Sequence, residues 1–232
     1  MEKKKRNFSI SIILILFAVV FTILVKVVDV KQIGVNETNI GFATVNKLVF
    51  EYIGVNIIWY HITDWLGLIP IFIAMIYALI GVIQLIKRKS IFKVDKEIIL
   101  LGLLYIIIAS LYVFFEHVII NYRPILMDGF LEASYPSSHT LMTICLCGSS
   151  IIANKKLFDN IITKLMNIVL FVIVMITVIG RLISGVHWFT DIIGAIVISS
   201  ALLMTFYSVI DNIKRQEKLN IGDKGFEDGK NR

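Results

Sequence analysis

The chain has 232 residues, of which 57% are hydrophobic and only 17% charged, with a mean hydropathy of +0.84. A soluble domain carries about a quarter charged residues. The composition therefore argues against a soluble globular domain, a disordered chain and a nucleic-acid-binding domain. The formal net charge of +6 comes from cations sorted by membrane side, not from a surface built for an anionic partner. Cys145 and Cys147, the two cysteines, are too few for a disulfide framework. Two positions apart on a helix, they point about 200° away from each other and read as small core residues.

A bilayer core about 30 Å thick takes roughly 20 apolar residues as helix. Six stretches answer to this, in chain order at about 8–28, 65–86, 97–118, 138–153, 166–183 and 188–210. The first follows Glu2-Lys3-Lys4-Lys5-Arg6, as a signal peptide would. Its apolar run of about 21 residues is too long for a signal-peptide core, and no small-x-small cleavage site follows, so it reads as a retained anchor. Pro70 falls in the first turns of the second span, where proline is tolerated. Between the first two spans, in the segment 29–64, Leu48, Val49, Tyr52, Val55, Ile58 and Trp59 recur near helical spacing. They predict one short helix lying on the outer membrane surface, with Trp59, Tyr60 and Trp65 as headgroup anchors. The expected fold is all-α, a six-helix transmembrane bundle over residues 1–210 with a short external interfacial helix. A charged, mobile cytoplasmic tail over 211–232 completes it.

The cations fix an orientation. Those before the first span, between the second and third, between the fourth and fifth, and after the sixth make 18 of the 23 basic residues. By the positive-inside rule that side is the cytoplasm. Both termini are then cytoplasmic, and Lys26, Lys31, Lys47, Arg123 and Arg181 lie on the outer side.

Ionisable residues at membrane depth are costly and mark function by default. The outer ends of the last four spans collect Glu116, His117, Arg123, His139, Arg181, His187 and Asp191. The two arginines supply planar charged forks suited to phosphate oxygens. Asp191 lies one helical turn beyond His187. Its carboxylate can hold one imidazole nitrogen and leave the other free as a nucleophile. His139 opens the fourth span just after Pro136-Ser137-Ser138, where serine hydroxyls and helix-start N–H groups favour an anion. There it can protonate a leaving oxygen and later activate water.

Arg123-Pro124, Pro136-Ser137-Ser138-His139 and the run from Arg181 to Asp191 resemble, in order and spacing, the three signature motifs of the type 2 phosphatidic acid phosphatase superfamily. Eight of the eleven fixed positions of its wider pattern are met: Arg123, Pro124, Pro136, Ser137, His139, Arg181, His187 and Asp191. The resemblance implies a metal-independent lipid phosphatase without a cofactor, acting at the outer leaflet through a phosphohistidine. His187 is then the nucleophile, Asp191 its orienting partner and His139 the general acid. Arg123 and Arg181 hold phosphate oxygens, and Ser137 adds a hydrogen bond. The implied partners are the bilayer and a lipid phosphate or isoprenoid diphosphate, with no nucleic acid. Candidate substrates are phosphatidic acid, phosphatidylglycerol phosphate and undecaprenyl diphosphate. Vanadium haloperoxidases share the motifs but are soluble, and six spans argue against that branch.

Three positions depart from the pattern. Ser138 replaces a glycine and is a candidate extra donor to the substrate. Gly180 replaces a serine. Glu116 replaces the lysine that opens the first motif, and a carboxylate about 5 Å from a phosphate would repel it by roughly 3 kcal/mol at an effective dielectric near 20. Four roles fit Glu116: a protonated acid, a partner that positions Arg123 or Arg181, a contact to a substrate hydroxyl, or the mark of a weak site. The last makes the chain a binder of lipid phosphate headgroups, scaffold-like or transporter-like. Lys26, Lys31 and Lys47 are the candidates to replace the missing cation. His61 and His117 read as structural hydrogen-bonders, Asp128 and Glu132 as solvated loop acids. Asn121 and Tyr122 flank Arg123 as candidate pocket lining.

Overall fold

The computed structural model describes the backbone of residues 2–157 and 160–230, and side chains over 5–155 and 160–216. Eight helices follow in chain order: α1 (Glu2–Val27), α2 (Ala43–Ile53), α3 (Ile57–Leu66), α4 (Leu68–Arg88), α5 (Lys96–His117), α6 (Ser138–Leu157), α7 (Ile161–Ile183) and α8 (Phe189–Lys230). Between α1 and α2, two short strands, β1 (Lys31–Gln32) and β2 (Asn39–Ile40), pair antiparallel.

Among the described residues, five segments are long and apolar enough to cross a membrane: 5–27, 57–88, 96–117, 161–183 and 189–216. Four of the expected spans correspond to α1, α5, α7 and α8. The second is longer than expected, because α3 runs almost directly into α4 at Gly67. The expected fourth span is α6, which is not among the apolar five. It packs against α4, α5, α7 and α8, and Thr140, Thr143, Cys145, Cys147, Ser149, Ser150 and Asn154 are all buried. A helix enclosed by helices has no lipid to satisfy, and small or weakly polar residues let its neighbours approach closely. Asn154 shows the pattern: it accepts from Tyr77 Oη at 2.6 Å and donates to Asn167 Oδ1 at 3.0 Å. The outer helices do the reverse. Leu16 on α1, Phe72 on α4, Ile106 on α5 and Phe171 on α7 are exposed, as lipid-facing side chains are.

The single external helix expected around residues 48–59 is two helices instead. Gly54 breaks it at φ +72°, and Asn56 restarts the chain by accepting from the Trp59 N–H. The break is imposed by packing. The Asn56 N–H donates to Ser184 O at 3.0 Å, and a Cβ on Gly185 would stand 2.1 Å from Gly54 O. In the tail, α8 runs on to Lys230, while residues 231–232 and the side chains beyond 216 lie outside the described residues.

Candidate active site

One end of the bundle brings together the C-terminal ends of α5 and α7, the N-terminal ends of α6 and α8, and the α3–α4 junction. The loop between α5 and α6 folds onto this end as an irregular hairpin. Its reversal is Asp128-Gly129, both at positive φ (50° and 85°), the conformation that Asp-Gly turns favour. Isolated bridges pair Met127 with Phe130 and Tyr122 with Ala133. The hairpin sets Arg123 beside Glu132, with the Arg123 N–H donating to Glu132 O at 3.1 Å and Arg123 Nε in an ion pair with Glu132 Oε2 at 3.1 Å. It also sets Asn121 beside Ser134.

His187 sits in the tight turn between α7 and α8, which Gly185 makes possible at φ +66°. Asp191 lies in the first turn of α8 and takes the Trp188 N–H at 2.9 Å, a carboxylate reaching back to the residue before its helix. Both side chains are buried. They do not bond directly, because His187 Nδ1 and Asp191 Oδ2 are 3.9 Å apart. Ser134 fills the gap. Its Oγ donates to Asp191 Oδ2 in a short hydrogen bond and stands 3.1 Å from His187 Nδ1, while its carbonyl oxygen is also 3.1 Å from Nδ1. The serine proton is committed to Asp191, so the imidazole donates from Nδ1 and Nε2 carries the lone pair. Burial, together with Arg123, Arg181 and His139 nearby, holds the His187 imidazole well below its ordinary 6.5, as the neutral ring.

Arg181, at the end of α7, is fully buried. Its guanidinium lies 4.9 Å from the centre of the Tyr60 ring and donates from Nη2 to Asp64 Oδ1 at 3.1 Å. The same Oδ1 lies 2.9 Å from His139 Nε2. Asp64, Tyr60 and Ser134 were not singled out for the site by the sequence. Asp64 stands in a region read as surface helix. Ser134 lies in a loop, two residues before the second motif.

The remaining polar atoms converge without protein partners. Among the described residues, His187 Nε2, His139 Nδ1, Arg181 Nε and Nη1, and Arg123 Nη1 are all buried and unbonded. Uncompensated buried donors cost about 1–3 kcal/mol each, so their concentration on four side chains makes this cluster a candidate anion site. A cavity of about 30 Å³, room for the centres of a few water-sized groups, is lined by Arg123, Ser134, Ser138, His187, Glu116 and Tyr112. Glu116 is exposed, where water screens it. Ser137 is buried but spends its proton on Thr140 Oγ1 at 3.0 Å. It starts α6 instead of reaching the cavity. None of the three outer lysines replaces the missing cation. Lys26 donates to Ile119 O, Lys31 pairs with Asp29 and Lys47 with Glu51. His117 bonds Val113 O within its own helix, as a structural histidine does.

Residues 117–215, which contain this cluster apart from Tyr60, Asp64, Tyr112 and Glu116, match the model of the PAP2 superfamily. The crystal structure of a transmembrane PAP2 type phosphatidylglycerolphosphate phosphatase from Bacillus subtilis has the same fold. The two superpose with a TM-score of 0.61 at 19% identity, over 88% of this chain and 98% of that one. No curated protein sequence matches the chain. Fold and composition together make this chain a multi-pass membrane protein.

Proposed function

We propose that this chain is a lipid phosphate phosphatase of the PAP2 type that needs no metal, with His187 as nucleophile and a phosphohistidine as intermediate. The observation that carries the reading is the set of buried, unbonded atoms on His187, His139, Arg181 and Arg123. They are four donors and one lone pair; His187 and Arg123 line the small cavity, and His139 lines a neighbouring one with Asp64 and with Met142, which the first cavity shares. In the first step the Nε2 lone pair of His187 attacks phosphorus and the bond to the lipid oxygen breaks. That oxygen takes a proton from His139. Arg123 and Arg181 hold the non-bridging oxygens, whose charge grows in the transition state. Asp191, acting through Ser134, balances the positive charge that the imidazole acquires. In the second step water attacks phosphorus, His139 takes the water proton, the P–N bond breaks and phosphate leaves.

A lipid is favoured as substrate by a second cavity. An apolar groove of about 400 Å³ runs between α1, α5 and α8, and shares Leu111 and Phe115 with the phosphate-sized cavity. An acyl or prenyl chain in that groove leaves its headgroup at Arg123. The outer leaflet is favoured by the cations Lys87, Arg88, Lys89, Lys93 and Lys155, which lie at the opposite end of the bundle from His187.

The test is phosphate release from a panel of lipid monophosphates and diphosphates in detergent with a chelator present. Release by the parent and none by His187→Ala supports the reading. Equal release by both removes the nucleophile. Binding of lipid phosphate by the parent, without release, favours the alternative of a headgroup-binding relative that does not turn over.

A further inference from the structure

We propose that Asp64 is a positioning residue for the acid His139, doing from α3 what Asp191 does for His187; this rests on the phosphatase reading above. Asp64 lies outside all three motifs, and outside the segment that matches the superfamily. One of its carboxylate oxygens meets both His139 Nε2, at 2.9 Å, and Arg181 Nη2, at 3.1 Å. These are the two side chains that must hold still while the phosphate–lipid bond breaks.

The contact assigns the histidine nitrogens. Nε2–H is committed to Asp64, and Nδ1 of the same ring is buried with no protein partner. The transferable proton therefore sits on Nδ1. When the P–O bond to the lipid breaks, its electron pair stays on the leaving oxygen and the Nδ1 proton moves there, while the P–Nε2 bond to His187 forms. Asp64 keeps the Nε2 proton throughout and counters the charge on the imidazolium before transfer. Arg181, Arg123 and His187 are the other charged or titratable groups bearing on this ring. Burial most of all, then Arg181 and Arg123, oppose its positive form, and Asp64 is the group that favours it.

Two glycines let Asp64 come so close. A Cβ on Gly180 would stand 2.5 Å from Thr63 Cγ2 and 2.9 Å from Trp59 Cε3, so the missing side chain at 180 lets α3 lie against α7. A Cβ on Gly67 would meet His139 Cδ2 at 3.1 Å. Gly180 is the position where the family pattern has serine. In this chain the departure makes room for the helix that delivers Asp64.

The experiment compares Asp64→Asn and Asp64→Glu with the parent, on two substrates. A short-chain phosphatidic acid has an alkoxide leaving group, which needs a proton. 4-Nitrophenyl phosphate has an aryl leaving group, which departs without one. General acid catalysis contributes on the order of 10²–10⁴-fold. Asp64→Asn is therefore expected to lose roughly 10- to 100-fold in kcat on the lipid and less than about 3-fold on the aryl ester, with both KM values held. Asp64→Glu recovers part of the lipid activity. The aryl activity doubles as the check that each variant has folded. Equal loss on both substrates would reduce Asp64 to a support for Arg181. Unchanged kcat with tighter inhibition by inorganic phosphate would make it a placeholder in the phosphate site. Either result overturns the proposal. A parent that cleaves neither substrate overturns the phosphatase reading instead.

Discussion

His187 Nδ1 and Asp191 Oδ2 stand 3.9 Å apart, beyond hydrogen-bond range, with the Ser134 hydroxyl between them. The carboxylate thus reaches its histidine through a serine from a different segment. Asp191 also takes the Trp188 N–H and, at 3.4 Å, Asn121 Nδ2. It therefore fixes three pieces of chain around His187 at once.

Ser134→Ala removes the bridge and leaves one buried carboxylate oxygen short of a donor. Residues that orient a reacting group from behind typically cost about 10–100-fold when removed. We expect a fall of that size in kcat with little change in KM, together with about 1–3 kcal/mol lost in stability. Kinetics on a lipid phosphate and a detergent-phase thermal melt check both. Parent-like kcat would show that the histidine needs no relay.

Arg123 directs Nη1 into the site while Glu132 pairs with its Nε. Arg123→Ala is expected to cost on the order of 10²–10³-fold in kcat/KM, as for loss of one preorganised charge donor. Glu132→Gln, on a half-exposed pair, is expected to cost less than about 3-fold. Steady-state kinetics on the two variants separate the roles. Similar losses would mean that the ion pair, not the guanidinium alone, builds the cradle.

Glu116 lines the cavity mouth beside Tyr112. Reversing its charge favours substrates with more negative charge beyond the cleaved phosphate. At an effective dielectric near 20, one charge at about 8 Å is worth roughly 2 kcal/mol. Glu116→Lys should therefore raise the preference for a lipid diphosphate over a monophosphate by at least about tenfold, read as the ratio of kcat/KM values. An unchanged ratio would place the second phosphate elsewhere.

The buried His187 ring has a definite pH signature. Its folded-state value lies well below 6.5. The folded protein therefore binds fewer protons than the unfolded chain as pH falls through 6.5, and this group's contribution to stability declines below that pH. Ring-nitrogen NMR should find His187 neutral, with its proton on Nδ1, from pH 7.5 down to at least about 5.5. Titration near 6.5 would mean that water reaches the ring.

The chain's long apolar runs made the outer spans legible, because lipid contact demands them. The three motifs made His139, His187, Asp191 and both arginines legible. What remained hidden depends on packing. Asp64 reads as one more polar residue in an amphipathic surface segment. Only the closeness of α3 to α7, through Gly180, carries it to His139. Asp128-Gly129 is a visible turn signal whose consequence, Arg123 set against Glu132, needs the hairpin register. Ser137 falls in a motif, yet its hydroxyl donates to the Thr140 side chain. α6 is weakly apolar because protein, not lipid, surrounds it.

The central claim is that phosphate passes through His187. The direct measurement is mass spectrometry of peptides from enzyme quenched at alkaline pH during turnover of a lipid phosphate. We expect an acid-labile phosphoryl group on His187, absent from His187→Ala, and accumulating in His139→Ala when 4-nitrophenyl phosphate, whose leaving group needs no proton, supplies it. Turnover with no phosphoryl group on His187 in either the parent or His139→Ala, or with the group on another side chain, would contradict the account.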